Sequence, residues 1–312
     1  MLHLGQEHLI RDQKGANGPL CAANGVVWIK LPEVIGGWKA NRTVKRLKSS
    51  TVAPGGQTLA EMAGMMTGLL LLLLAGVTVG RVLDLQKRIY GGDICANDDR
   101  QYHVKLKSTY GINNVKCGGS LIHKFWILTA DHCVPEGMTS VTAYLGVHQD
   151  GQNNPFEIKD IKRYKDENGE PHDIALLLLR EPAMGYKCVD LPQCHTPLTS
   201  EHVQIAGHGA TTLNKDGTRG TDSPIKLRCA NTQVAACRHT FQKPVYTSTY
   251  DTLICFTETD VDISLADSGG GLVFDKKIYG VISFLVGEKP FESPAGAIKV
   301  CTYIDWIKKI IV

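Results

Sequence analysis

The sequence after residue 88 predicts an all-β domain, folded as barrels or sandwiches. Its apolar residues fall in short runs, separated by Gly, Asn, Asp or Pro, which is typical of strands joined by turns. Apolar residues at helical spacing are scarce over the same stretch. The runs are YHVKLKS, GSLIHKFWILTA, SVTAYLGV, DIALLLL, HVQIAGHG, GGLVF and KIYGVISFLV.

The C-terminal segment TYIDWIKKIIV is the exception to this pattern. Ile304, Ile307 and Ile310 recur at helical spacing, with Tyr303 and Trp306 beside them. We therefore expect a helix over about residues 302–311, which lays an apolar stripe on the β body.

Length and composition restrict the class of protein. The chain has 312 residues, a hydrophobic fraction of 43% and a net charge of +3, which fits a globular protein with a sizeable core. Its 34 basic residues nearly balance its 31 acidic ones. This balance gives no reason to expect nucleic acid as a partner.

The cysteines indicate disulfides and an oxidising compartment. The chain has ten cysteines, which are widely spaced and include no CxxC pair, so a zinc ribbon or a redox motif is disfavoured. A disulfide framework is typical of secreted proteins. The cysteines are at positions 21, 95, 117, 133, 188, 194, 229, 237, 255 and 301.

An apolar segment at residues 62–80 contains a run of six leucines and ends in small residues, as a secretory signal does. It follows 61 residues of polar chain, and two interpretations are open. Either Met62 or Met65 is the true start and residues 1–61 are absent from the mature protein, or the segment anchors the protein in a membrane with a cytosolic tail. Its apolar length of about 18 residues is short against the ~20 needed to span a bilayer, which favours secretion.

Three motifs carry residues that could do chemistry. CGGSLIHKFWILTADHC, residues 117–133, places His132 next to a cysteine; HDIALLLL places Asp173 at the head of an apolar run; and LADSGGGLV, residues 265–273, contains Ser268. Taken singly, each has an ordinary structural interpretation, as a buried histidine, a capping aspartate or a glycine-rich turn.

Together the motifs resemble those of the chymotrypsin/trypsin family of serine endopeptidases, in the order His, Asp, Ser. The similarity covers residues 89–312, and rests on RIYGG, CGGSLI with TADHC, DIALL, DSGG and GVISF. It implies two antiparallel Greek-key β-barrels, at about residues 89–195 and 196–300, with the helix after them.

The resemblance assigns roles to the motif residues. Ser268 is expected to be the nucleophile, His132 its general base and Asp173 the carboxylate that orients the histidine. Ser283 is expected to donate a hydrogen bond to Asp173. The backbone N–H groups of Ala266 and Ser268 are expected to form the oxyanion hole.

It also implies activation of a zymogen by another protease. Residues 81–88 would be the activation peptide, and cleavage after Arg88 would free the amine of Ile89 to pair with Asp267. The expected product is a secreted, monomeric endopeptidase that acts on polypeptides, the alternative being a type II membrane-anchored one. No cofactor and no metal site are expected.

Three positions depart from the family pattern. Ala266 replaces a glycine, so its Cβ is expected to strain the oxyanion turn, and Gly271 replaces a proline. Asp131 replaces an alanine; a carboxylate about 6 Å from Asp173 would repel it by roughly 3 kcal/mol, unless Asp131 turns outward into solvent. These departures leave open a weakly active or inactive homologue that acts as a binding or regulatory protein.

The substrate pocket combines familiar and unfamiliar features. Asp262 matches the acid that binds Lys or Arg side chains in trypsin-like enzymes, and Phe284 follows Ser283 on the strand beside the cleft. Leu285 and Ala295 replace two glycines and are expected to narrow the pocket. Ser264 replaces one half of a disulfide that braces it. We expect a preference for a small residue or a very narrow specificity.

The resemblance also implies cysteine pairs. They are Cys95–Cys229, Cys117–Cys133, Cys237–Cys255 and, with less support, Cys194–Cys301, while Val203 and Phe274 replace both halves of another bridge. Among the nine cysteines from residue 89 onward, Cys188 is left over, as a free thiol or for an intermolecular bridge.

Overall fold

The computed structural model describes residues 89–147, 154–195, 197–199, 201–237, 250–292 and 294–312. The predicted upstream segment 1–61, the apolar segment 62–80 and the activation peptide 81–88 lie outside the described residues. No helix in the described ranges has the length and apolarity needed to cross a membrane.

Six strands close into a first antiparallel barrel in the order β2-β3-β4-β7-β6-β5. Its central strands are almost entirely buried: all four residues of β4 are buried, as are Asp173 to Leu177 within β7. Apolar side chains on these strands fill the barrel. The strands are β2 His103–Tyr110, β3 Asn113–His123, β4 Trp126–Thr129, β5 Ser140–Leu145, β6 Asn154–Lys165 and β7 Pro171–Leu179.

The second barrel also has six antiparallel strands, in the order β8-β9-β10-β13-β12-β11, and closes by pairing β8 with both β9 and β11. A short strand, β1 Asp93–Ile94, pairs with the outside of β9. The strands are β8 His202–Gly207, β9 Arg228–Ala235, β10 Leu253–Thr257, β11 Gly271–Phe274, β12 Lys277–Phe284 and β13 Ala295–Lys299. The predicted all-β class with two antiparallel barrels is confirmed.

The first residues of the domain lie against the second barrel, although the sequence boundaries placed them with the first. Ile89 is fully buried in the second-barrel cluster that contains Val203, Phe256 and Ile282. Cys95 is joined to β9 by its disulfide with Cys229. The start of the domain is therefore held close to the segment that carries Ser268.

The C-terminal helix, α1 Ile304–Ile311, follows a 3-10 turn at Val300–Tyr303. Ile307 and Ile311 are buried, while Ile304 and Ile310 are half-buried, so the apolar stripe runs mainly through Ile307 and Ile311. These side chains pack into the cluster that fills the first barrel. The helix thus carries the end of the second barrel back onto the first.

Between described residues, four disulfides join the same pairs that the family resemblance implied. They are Cys95–Cys229, Cys117–Cys133, Cys194–Cys301 and Cys237–Cys255. Cys188 is disulfide-bonded as well. Of the two alternatives for this cysteine, the free thiol is therefore wrong.

Candidate active site

His132 and Asp173 meet at one rim of the first barrel. His132 lies in the 3-10 turn Asp131–Cys133 that follows β4, and Asp173 lies near the start of the neighbouring β7. The Nδ1 atom of His132 is 2.9 Å from Oδ2 and 3.1 Å from Oδ1 of Asp173. The backbone N–H of His132 also donates to Oδ1, at 2.9 Å. A carboxylate at Nδ1 keeps the proton on that nitrogen and leaves Nε2 as an acceptor.

Ser283 on β12 brings the second barrel into this network. Its hydroxyl donates a hydrogen bond to Oδ2 of Asp173, whose side chain is 4% exposed. The carboxylate therefore accepts from both barrels, which satisfies its oxygens in a position that water hardly reaches.

Ser268 follows a 3-10 turn at Leu265–Asp267 and precedes a glycine whose conformation fixes the path of the chain. Gly269 has a φ of +80°, and a Cβ there would lie 2.3 Å from the carbonyl oxygen of Gly118 and from Thr129 Oγ1. Only glycine fits this position. Ala266 is not among the residues with positive φ, so the backbone strain expected for its Cβ is absent from this turn.

The turn that carries Ser268 contacts the first barrel directly. The N–H of Gly118 on β3 donates to the carbonyl oxygen of Ser268 at 2.7 Å. A Cβ on Gly269 would lie 3.2 Å from Sγ of Cys133, the residue after His132. The turn that carries Ser268 and the turn that carries His132 are thus adjacent. The His132 ring contributes no hydrogen bond to Ser268 among the described residues, and its Nε2 lies 3.8 Å from Cys133 Sγ.

Asp131 is buried and paired with an arginine that sequence reasoning missed. It is 7% exposed, so the alternative in which Asp131 turns outward into solvent is wrong. Its Oδ1 accepts from Nη1 of Arg163 on β6, while Nη2 of Arg163 donates to the carbonyl oxygen of Val134. A neutralised carboxylate beside Asp173 repels it much less than an isolated one. The predicted damage to the histidine network is therefore offset by Arg163.

Asp267 is fully buried with hydrogen bonds from backbone N–H groups. Gly209 donates to its Oδ1 at 2.7 Å, and Ser264 donates to its Oδ2 at 2.8 Å. Burial raises the pKa of Asp267 to about 6, against the lowering effect of these two hydrogen bonds. A Cβ at Gly207 would lie 1.9 Å from Oδ1 of Asp267, so this space is shaped around the carboxylate.

Asp262, the acid among the predicted pocket residues, is already bound by donors of the protein itself. Asp262 is 5% exposed, and its Oδ2 accepts from Nη2 of Arg219 and from the N–H of Phe291. Ala295 is 3% exposed at the start of β13, and Leu285 is half-buried after β12.

The aromatic ring on β12 also closes in on this region. A Cβ at Gly296 would lie 2.0 Å from Cζ of Phe284, so the ring covers the glycine next to Ala295. The ring of Phe284 therefore packs against β13 next to Ala295.

Ligand atoms of Cys117, His132 and Cys133 lie close enough together to hold a metal ion. The two sulfur atoms form a disulfide with an S–S distance of 2.03 Å, so neither is available as a thiolate. This cluster is part of the histidine turn and does not fit a metal.

The family comparison agrees with this geometry. The trypsin family model matches residues 89–307, more than half of the 312-residue chain. The chain belongs to the trypsin family of serine proteases.

Individual members of the trypsin family match along nearly their whole length. The chain is 28% identical to serine protease 1 of Rattus norvegicus over 260 residues, which cover 79% of this chain and 99% of the relative. It is also 28% identical to anionic trypsin of Canis lupus familiaris over 261 residues, covering 79% and 98% respectively.

Solved structures of the trypsin fold superpose on the same region. The structure of neuropsin, a serine protease expressed in the limbic system of mouse brain, matches with a TM-score of 0.58 and 26% identity, over 71% of this chain and 99% of that one. A structure titled GrC matches with a TM-score of 0.60 and 23% identity, over 70% and 97%. The latter likeness supports the fold.

Arg163 and Arg219 are the two site residues that the sequence did not reveal. Arg163 pairs with Asp131, which departs from the family pattern, and Arg219 pairs with Asp262, which matches it. The two aspartates could have indicated that partners exist, because a buried carboxylate needs a cation or several hydrogen bonds.

Proposed function

We propose that this chain is a serine endopeptidase that hydrolyses peptide bonds through a Ser268 acyl-enzyme. The observation that carries the proposal is the contact between His132 Nδ1 and Asp173, reinforced by the hydroxyl of Ser283. A serine hydroxyl is a weak nucleophile at neutral pH and needs such an oriented base. Membership of the trypsin family supports the same chemistry.

In the proposed reaction, His132 Nε2 accepts the hydroxyl proton while Ser268 Oγ attacks the scissile carbonyl carbon. Asp173 stabilises the imidazolium that forms, and His132 then gives the proton to the leaving amine. Water hydrolyses the resulting ester with His132 again acting as base. The developing oxyanion is held by the N–H groups of Ala266 and Ser268, each worth about 3 kcal/mol in the transition state.

We propose that the enzyme is made as a zymogen and activated by cleavage after Arg88. The new ammonium group of Ile89 would pair with Asp267. Two observations support this pairing. Ile89 is buried in the second barrel, and the N–H of Asp262 donates to the carbonyl oxygen of Tyr90 at 3.0 Å, which holds the start of the domain beside the Asp267 turn.

We further propose that the protein acts outside the cell on polypeptide substrates. Its disulfides support this location, because such bridges persist in oxidising compartments. The signal at residues 62–80 and the activation peptide at 81–88 belong to the same proposal.

The test is covalent labelling with a fluorophosphonate probe, which reacts with an activated serine regardless of the side chain that a substrate presents. The full chain is cleaved at Arg88 with a trypsin-like protease, and labelling is compared with that of the uncleaved chain. We expect rapid labelling only after cleavage.

Two serine variants identify the labelled residue. Ser268→Ala is expected to abolish labelling, while the matched control Ser140→Ala, at an exposed position on β5, is expected to label like the wild type. A cleaved, folded wild-type protein that does not label would contradict the proposal and support the binding or regulatory homologue.

A further inference from the structure

Arg219 lies between β8 and β9 and sends its side chain into the protein interior. The side chain is only 7% exposed, and its Nη2 forms an ion pair with Oδ2 of Asp262, whose side chain is 5% exposed. Long charged side chains are rarely buried to this extent unless they are paired. The pair is therefore a built feature of this region.

The remaining donors of Arg219 bind the backbone on both sides of the pocket. Its Nε donates to the carbonyl oxygen of Ile263 at 3.1 Å. Its Nη1 donates to the carbonyl oxygens of Gly287 and Lys289, at 2.9 Å each. The guanidinium thus connects the segment after Asp262 to the segment after β12. The first of these segments contains Ser264, which replaces one half of the family disulfide. Four hydrogen bonds hold it in one place.

Three of the roughly four acceptor positions of the Asp262 carboxylate are already used by donors of the protein itself. Its Oδ1 accepts from the N–H of Ile263 at 2.7 Å, and its Oδ2 accepts from Arg219 and from the N–H of Phe291. A second cation would have to displace Arg219, or lie beside it and be repelled by the like charge.

We propose that Arg219 is a built-in occupant of the primary specificity pocket, which closes Asp262 to Lys and Arg side chains and restricts the site to small uncharged ones. This inference rests on the proposed peptidase function. Arg219 takes the place that the guanidinium of a basic substrate residue would occupy, and the side-chain carbons that Leu285 and Ala295 add to this region favour a short substrate side chain.

The test uses p-aminobenzamidine, a fluorescent planar amidinium that needs a free carboxylate and no catalysis. Binding is followed by its fluorescence on titration of the cleaved full-length protein. The wild type is expected not to bind. Arg219→Ala is expected to gain binding by at least about 100-fold, because the variant exposes the carboxylate and removes the competing charge. Arg219→Ala combined with Asp262→Asn is expected to lose it again.

Matched and fallback variants protect the test against loss of folding. Arg180→Ala removes an exposed arginine that is paired with Glu157 and is expected to behave like the wild type. Arg219→Gln keeps a hydrogen-bond donor without the charge and serves if the alanine variant unfolds, as judged by its thermal transition. Titration of the wild type needs no variant at all.

Three results would overturn the inference: Asp262-dependent binding by the wild type, folded Arg219 variants that do not bind, or cleavage by the wild type after Lys and Arg. Fluorophosphonate labelling of Ser268 is measured on the same samples. If the Arg219 variants are labelled but do not gain amidine binding, only the role of Arg219 is refuted. If the cleaved, folded wild type is not labelled, the peptidase function is refuted.

Discussion

The two barrels bury acidic side chains at the cleft in different ways. In the first barrel, Asp131 is paired with Arg163 and Asp173 with His132. In the second barrel, Asp262 is paired with Arg219, whereas Asp267 accepts hydrogen bonds from the backbone N–H groups of Gly209 and Ser264.

Asp267 differs from the other three acids in forming no ion pair among the described residues. Burial raises the pKa of Asp267 to about 6. A buried carboxylate without an ion-pair partner is stabilised strongly when a cation is placed beside it. The comparison thus separates three acids that have a side-chain partner from Asp267, which we propose pairs with the Ile89 amine after cleavage.

The largest expected effect tests the role of the His132–Asp173 pair. Asp173→Asn removes the carboxylate that fixes the histidine tautomer, and we expect kcat of the cleaved protein to fall about 10⁴-fold. The exposed Asp305→Asn serves as control and is expected to keep wild-type kcat. A fall of less than ten-fold for Asp173→Asn would show that the pair is structural.

Breaking the other pair of the first barrel should reduce stability. Arg163→Ala leaves the buried Asp131 without its cation, and we expect the free energy of unfolding to fall by about 3–5 kcal/mol in a urea titration. The double variant with Asp131→Ala is expected to recover most of this loss. If the single variant is as stable as the wild type, Asp131 is not confined by Arg163.

A matched control for this comparison is the exposed pair Arg180–Glu157, in which both side chains are more than half exposed. Arg180→Ala is expected to lower the free energy of unfolding by about 1 kcal/mol or less, because water screens this pair. An equal loss in both variants would remove the distinction between buried and exposed pairs.

Asp267 should make the stability of the uncleaved chain depend on pH. Its folded pKa of about 6 lies above the ordinary 3.8, so the stability that the neutral acid contributes is present below pH 3.8 and is lost as the pH rises through 6. As the pH rises from 3.8 to 7, we expect the free energy of unfolding of Asp267→Asn to increase by about 3 kcal/mol relative to that of the wild type. Unfolding titrations across this range measure the difference.

The sign of this effect is expected to reverse after cleavage at Arg88, because the Ile89 ammonium then stabilises the charged form of Asp267. The exposed Asp275→Asn controls for the loss of a surface carboxylate. A difference between Asp267→Asn and the wild type that stays constant with pH would contradict the assigned protonation.

The smallest expected effect concerns Ala266. Since this residue adopts an ordinary φ in its 3-10 turn, glycine would add flexibility without relieving strain. We expect Ala266→Gly to lower the free energy of unfolding by about 0.5–1 kcal/mol. A more stable variant would restore the interpretation that the Cβ is strained.

The sequence predicted the strands that are apolar on both faces or alternate clearly, such as β4 and β7. It missed β6, in which charged and half-buried residues alternate along NPFEIKDIKRYK without a buried run. This strand carries Arg163, opposite Ala175 of β7, so the partner of Asp131 was missed with it.

Arg219 was missed for a different reason. It belongs to a segment without a periodic pattern, and the place where such a segment's side chain packs depends on contacts with Asp262 and Gly287, far along the chain. The family motifs could locate Asp262, but they could not show which residue of this particular chain neutralises it. Local patterns predict elements, and long-range pairs of charges need the folded chain.

The hydrogen bond from the Gly118 N–H to the carbonyl oxygen of Ser268 joins the two barrels at the proposed nucleophile. If the barrels separate, this bond must break, and the Gly118 amide becomes open to exchange with solvent deuterium. Its exchange rate therefore serves as a gauge of cleft opening that can be read in the resting protein, before any substrate is present.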